Sequence, residues 1–425
     1  MTSPIHDDKL TQGIGVPVRS MGRGESIRYG IALGLGAFLW VSALIGPTTI
    51  LLPAKFGVIA PDQRVEFVGL SALLGAVCAV FANILFGALS DLTRSRWGAR
   101  SPWLIAGSIV SAAALFGVAT AESVGTTFVW WAVFQFAINA VVAPMIATLP
   151  DRTPRRMRGT YSAIYGVGIL AGTTISVVIA SRFLGDIFAG FMVSVAFMLI
   201  SGIFFVVLAP DRSNRDQPRE AFSPRSLLRS FSFPTKGARD FYLALIGKFL
   251  VVASGMMITN YQLYIFLDYV QLGQEDTANA IAALSVIALI MSLIFGILSG
   301  PFSDRVGKRK IFVVVSALLI AVGWLLPAFA PAMWLILIGG TIAAIGTAIF
   351  NSVDQALNTE VLPDPKTAAK DLGILNVAIN AGQALGPAIT SLVVTISGGY
   401  QLAFPVAAGL ALLAAVTIKL IRSVP

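Results

Sequence analysis

Apolar runs of about 20 residues alternate with short polar connections along the whole chain. The runs fall near 29–52, 65–90, 102–121, 126–149, 160–182, 186–209, 241–267, 277–300, 311–330, 332–353, 371–394 and 399–421. Each is long enough to cross a hydrocarbon core of about 30 Å as a helix. The pattern predicts an all-α membrane protein with twelve transmembrane helices. Residues 1–27 are polar, and the first run is too long for the apolar core of a signal peptide, so it should stay as the first span.

Composition removes other classes. Apolar residues make up 56% of the chain and charged ones 12%, against about 25% charged in a soluble domain. Such a chain has too little polar surface to cover a globule and too little charge to be disordered. The net charge of +9 would suggest nucleic acid in a soluble protein. Here its distribution explains it. Of the 30 Lys and Arg, 26 lie in the tail, in the even-numbered connections and at the C-terminus. Lys55, Arg64 and Arg182 fall on the opposite side, and Lys248 lies inside a span. The positive-inside rule then predicts twelve spans in the cytoplasmic membrane with both termini cytoplasmic. Nucleic acid is not an expected partner; the bilayer is.

The single Cys78 and single His6 exclude histidine–cysteine metal clusters and histidine proton relays. No metal or other cofactor is expected. No nucleophile–base pair is visible, so an enzyme is disfavoured, and the connections are too short for a scaffold.

The longest polar stretch, 210–240, is rich in Arg, Ser, Pro and Asp. It divides the chain into a tail at 1–28, a six-helix bundle at 29–209, a cytoplasmic linker at 210–240 and a second bundle at 241–425. Internal similarity supports this. Gly87, Ser90 and Asp91 recur 213 residues later as Gly300, Ser303 and Asp304. Leu149, Pro150 and Asp151 recur at the same offset as Leu362, Pro363 and Asp364. Parallel six-helix repeats are a transporter architecture.

The repeated segments read GALSDLTRSRWGARSPW at 87–103 and GPFSDRVGKRK at 300–310. Both resemble the loop G-x-x-x-D-(R/K)-x-G-R-R of the major facilitator superfamily. The resemblance implies a conformational latch at Gly87, Asp91, Arg100, Gly300, Asp304 and Arg309. The glycine would let two helix ends approach, the aspartate would pair with arginine or cap a helix, and the basic residues would meet the leaflet. A purely topogenic basic loop is the alternative. The first copy is stretched, with six residues between Asp91 and Gly98-Ala99-Arg100-Ser101-Pro102. With LPD at 149–151 and Arg158-Gly159, it resembles the glycoside–pentoside–hexuronide cation symporters and the sucrose transporters. Ala99 departs from the double arginine.

Coupling is where the chain leaves that pattern. The melibiose-type branch carries acidic residues midway along helices 2 and 4. Here helix 2 has Glu66 at its outer end, and helix 4 has Gln135 and Asn139 instead of a carboxylate. Sodium coupling is therefore disfavoured. Proton coupling needs another carboxylate, and without one the protein is a facilitator.

Charge inside a bilayer costs at least about 2.5–3.5 kcal/mol, so each instance is a functional suspect. Lys248 reads either as a snorkelling anchor or as a buried ion-pair partner, and Asp354 is its candidate partner. Asp268, in NYQLYIFLDY at 260–269, reads as an interfacial carboxylate or as a protonatable group at the cavity mouth. Asn260, Tyr264 and Asp268 follow at i, i+4 and i+8 on one predicted face. Asp354 also reads as a solvated helix end, and Asp371 as a favourable N-terminal charge on helix 11. Asp268, Asp354 and Lys248 are the coupling candidates.

Uncharged amides point to the cargo. Asn376, Asn380 and Gln383 share a face of helix 11, and Gln135 and Asn139 a face of helix 4. Amides both donate and accept, which suits hydroxyl-rich neutral solutes; interhelical glue is the other reading. Trp40 is placed to stack on a sugar. Trp130 and Trp131 read as an aromatic belt. Gly30/Gly34, Gly168/Gly172, Gly296/Gly300 and Gly382/Gly386 would let helices pack closely, and Pro47 and Pro387 would break helices along a cavity.

Together these features predict a monomeric secondary transporter for a small neutral solute, a sugar or glycoside, with a proton as co-substrate. Trp40, Gln135, Asn139, Asn260, Asn380 and Gln383 are the expected substrate residues. The rivals are an exporter of amphipathic compounds and an uncoupled sugar facilitator.

Overall fold

The computed structural model describes residues 21–216, 234, 238–362 and 368–422. The described residues are helical almost throughout. The first helix, α1, runs Arg23–Ile59 with a π turn at Pro47–Leu51. It is followed by α2 (Arg64–Leu92), α3 (Ser101–Thr120), α4 (Val124–Arg152), α5 (Arg158–Arg182) and α6 (Ile187–Leu208). The second series is α7 (Arg239–Thr259), α8 (Gln274–Val306), α9 (Arg309–Leu325), α10 (Met333–Glu360), α11 (Ala368–Ser397) and α12 (Ala403–Lys419). Eleven are long and apolar enough to cross a membrane. The last, of 17 residues, is about 25 Å long at the helical rise.

Local sequence sets the helix ends. Ser123 and Thr126 form a reciprocal capping box that starts α4. Asp186, an outer-loop residue in the sequence, accepts from the Ala189 amide and starts α6. Gly98 and Gly307, the turn glycines of the two repeated loops, have φ of +83° and +68°. That left-handed geometry penalises a side chain. A Cβ on Gly98 would also fall 2.2 Å from Asp211.

Packing follows one rule twice. In the first series, α1 packs against α5 and α6, α3 against α4 and α6, and α2 against α4. In the second, α7 packs against α11 and α12, α9 against α10 and α12, and α8 against α10. Adding six to each helix number converts the first set into the second. Small residues allow the closest crossings. A Cβ on Gly168 would lie 2.2 Å from the Gly34 carbonyl, and one on Gly386 2.6 Å from the Ala253 carbonyl. Without a hydrophobic force between helices in lipid, such backbone proximity supplies the contact.

Several expectations change here. Pro47 and Pro387 do not break their helices: the first opens a π turn, and the second lies inside α11. Trp131 is buried and donates to the Ser71 carbonyl at 3.3 Å, so it ties α4 to α2 instead of joining a belt. Trp130 is exposed. Neighbouring helical residues diverge by about 100°, which separates the two rings. Most of 210–240 lies outside the described residues. Its first part is held, with Asp211 3.2 Å from Arg152 and accepting from the Arg100 amide.

Candidate functional site

The main contacts between the two series are α2 with α11 and α5 with α8. Their polar links gather on the side away from the chain ends, here called the far side. The chain beyond Thr259 supplies most of them, through a short helical segment at Gln262–Tyr264 and a π turn at Ile265–Tyr269. The Tyr261 hydroxyl lies 2.8 Å from the Val65 carbonyl and 3.1 Å from that of Pro387. The Tyr264 hydroxyl donates to the Pro53 carbonyl at 2.6 Å. Arg64 Nη2 donates to both oxygens of Asp268 at 3.0 Å, and its guanidinium lies 4.9 Å from the Tyr264 ring centre. Across the other seam, Arg182 donates to the Asn279 amide oxygen at 2.7 Å. The far side is therefore closed by tyrosines, one ion pair and one arginine–amide bond.

Asn260, Tyr264 and Asp268 do not share the expected continuous face. The α-helix stops at Thr259, and the following turn and π segment rotate what comes next. Tyr264 and Asp268 converge on Arg64. Asn260 is buried and turns back, with Nδ2 3.3 Å from the Met256 carbonyl. Sequence reasoning left Arg64 as a far-side cation, and nothing in the spacing linked it to a residue 204 positions away.

On the terminal side the open surroundings of Gly87 contrast with the close contacts of the far side. A Cβ on Gly87 would meet nothing within 4 Å. The close approach expected of that glycine is thus not made in this conformation. Gly300 lies 3.1 Å from the Ser352 hydroxyl by the same measure. The repeated loops act within each series. Arg100 contacts Asp91 at 2.5 Å, Asp151 at 3.1 Å and the Ser90 hydroxyl at 2.5 Å, joining the ends of α2, α3 and α4. Arg309 pairs with Asp304 at 2.7 Å and with Glu360, joining α8, α9 and α10. The repeated LPD signalled Asp151 in the first copy. Pro363 and Asp364 of the second lie outside the described residues.

Two buried charges pair across α7 and α10, whereas buried Lys55 donates to the Ala119 carbonyl at 2.9 Å. Lys248 Nζ lies 2.8 Å from Asp354 Oδ2 between α7 and α10, and the residues are 3% and 5% exposed. Asn358 donates to the same oxygen at 2.7 Å. Lys248 is thus a partner in the protein interior and not a snorkelling anchor, and Asp354 is not solvated. Asp371 is fully buried at the start of α11.

The expected substrate residues divide. Asn139 is buried, donates to the Gln135 carbonyl at 2.9 Å and accepts from Asn83 of α2 at 3.5 Å. The Gln135 amide rests over Gly75 of α2. Asn376, Asn380 and Gln383 are exposed along α11. They continue the face of Pro387, whose carbonyl meets α2 at the far side. Trp40 is buried, and the Tyr165 hydroxyl lies beside its indole N–H.

Comparison with known proteins fits this geometry. The Major Facilitator Superfamily model matches residues 31–299 and again 249–425. The chain belongs to the major facilitator superfamily. Within it, a hexuronate transporter of Bacillus subtilis (strain 168) is 24% identical over 400 residues, covering 88% of this chain and 92% of the relative. The solved structure of the nucleoside transporter NupG aligns over 92% of this chain and 99% of its own, at 16% identity and a TM-score of 0.74. A bacterial homologue of the human lysosomal transporter Spinster, inward-facing and occupied, aligns over 94% and 97%, at 15% identity and 0.71. The chain is a multi-pass membrane transporter of this superfamily for a small molecule, and not an enzyme.

Proposed function

We propose that this major facilitator moves a neutral, hydroxyl-rich solute, a sugar or glycoside, by alternating access with proton symport. The observation that carries the reading is the presence of amides in both series: Asn83 with Asn139 and Gln135 in one, exposed Asn380 and Gln383 in the other. Trp40, buried beside the Tyr165 hydroxyl, offers an aromatic ring to the same class of solute. Asn260 is a weaker candidate, because its amide is already used.

Charge argues for a neutral cargo. A carboxylated sugar, as in the name of the Bacillus relative, calls for a cation free to pair with it. Lys248 is neutralised by Asp354 and Arg64 by Asp268. Taking either cation for a substrate would leave a carboxylate without its partner.

For coupling, Asp354 is the carboxylate of choice. It is buried in a span, and a proton on it would release Lys248 and Asn358. Asp268 acts at the far gate. With the termini cytoplasmic, as the lysine and arginine distribution predicts, the closed far side faces outward and this conformation is inward-facing.

Charge movement on a supported membrane tests both parts, with a panel of glycosides and proton or sodium gradients applied in turn. A current that needs a glycoside and grows with an inward proton gradient is expected. If Asp354→Asn and Asp268→Asn both keep gradient-driven accumulation, proton symport fails. Equilibration of labelled sugar without accumulation would then establish a facilitator. Dye efflux without sugar movement would establish an exporter.

A further inference from the structure

The far half of the α2–α11 seam is in close contact, and beyond it Asn83 of α2 and Asn376 of α11 are exposed. At the far side, a Cβ on Gly69 would lie 2.9 Å from Ser391 and 3.4 Å from the Pro387 carbonyl. These contacts fix the register of two antiparallel helices. From Gly69, steps of seven residues along α2 reach Ala76 and then Asn83, staying on one face. From Pro387, steps of seven and eleven residues back along α11 reach Asn380 and Asn376 on one face. Asn83 lies roughly 21 Å from Gly69 along its helix, and Asn376 roughly 22 Å from Ser391, at the helical rise. The two asparagines therefore stand at the same depth, on facing surfaces. Both are exposed in this conformation.

We propose that Asn83 and Asn376 form the latch that closes the terminal side of the cleft in the opposite conformation. The step rests on alternating access, not on the identity of the cargo. A seam closed at one end and open at the other exchanges its ends when the series rock. The contact then moves along the same two faces toward Asn83 and Asn376. Two primary amides can bridge reciprocally, each donating an N–H to the other's oxygen. Asn83 is also the donor to Asn139. The latch residue is thus bonded to a candidate substrate residue, and a solute that takes the Asn139 oxygen frees the Asn83 donor for the latch.

Cross-linking tests this without knowledge of the substrate. Cys78 is the sole native cysteine, so Asn83→Cys with Asn376→Cys is made in a Cys78→Ser background. A short bis-methanethiosulfonate should join the pair slowly. It should act about tenfold faster when Arg64→Ala releases the far side. The control pair Val77→Cys with Leu385→Cys, on exposed apolar faces, should not join. Equal rates with and without Arg64→Ala, or equal joining of the control pair, would overturn the latch. A second measurement does not need the double cysteine to fold. Asn83→Ala with Asn376→Ala should disfavour the far-side-open state and slow maleimide labelling of Gly57→Cys, beside Tyr264. Unchanged labelling would equally refute the proposal.

Discussion

A lone charge in a membrane protein's interior loses most of its hydration, and this sets the behaviour of Lys248 and Asp354. Breaking a buried pair by removing one partner costs about 3–5 kcal/mol, whereas replacing both by apolar groups of similar volume is often neutral. Lys248→Met should therefore lower the midpoint of thermal unfolding in detergent. Lys248→Met with Asp354→Leu should restore most of it while abolishing proton-driven accumulation. A double variant that accumulates normally would make the pair structural. The amides behave differently. Asn139→Ala removes one weak bond to Asn83 and one backbone contact. It should change stability by about 1 kcal/mol but weaken solute affinity, read as a raised half-saturating concentration of the active glycoside. The sequence marked these residues as polar at membrane depth. It left the Lys248–Asp354 partnership as one alternative, because which helices become neighbours is not written in local spacing. Trp131 shows the same gap, since an aromatic at a span end reads alike whether it points to lipid or to Ser71.

At the scale of the element, the repeated loops were legible because their chemistry is local. Gly98 and Gly307 hold left-handed turns, and Arg100 and Arg309 each tie three helix ends. Gly98→Ala meets both the dihedral penalty and the Asp211 side chain. It should cost about 1–3 kcal/mol, visible as reduced yield of folded protein, while Gly87→Ala should be tolerated in this conformation because its surroundings are open. Gly172→Leu has no such room, with Val41 and the Phe38 carbonyl 2.4 and 2.6 Å from its Cβ position, and should prevent α1 from packing on α5. The element misjudged from sequence was the end of α7. An apolar run shows length but not the change from α to π winding, which depends on how the segment is received by α2 and α1.

For the whole molecule, the distribution of contacts is the finding with most consequence. Tyrosine hydroxyls and the Arg64–Asp268 pair join the series on the far side, while Gly87 and the α11 amides stand open on the other. Removing the ion pair takes stabilisation from this state alone, so the population shifts toward the state open on the far side. Asp268→Asn should raise maleimide labelling of Gly57→Cys about five- to tenfold in the Cys78→Ser background. The effect should shrink at high salt, because the pair is about 30% exposed. Labelling equal to that of the parent would remove Asp268 from the gate.

The sequence by itself determined the class and the plan. Twelve runs of bilayer length and a motif repeated at an offset of 213 residues are statements about single helices and single loops. A helix in lipid must satisfy its own backbone, so its existence follows from its own residues. The tertiary structure alone decided which side carries the links between the series, that Asp268 pairs with Arg64, that Asp354 is bound to Lys248, and that Asn83 is bonded to Asn139. Those facts depend on pairing between segments far apart in the chain and on the conformation adopted. Helices in lipid find partners through close packing and a few polar contacts, and those contacts differ between the two states of one sequence.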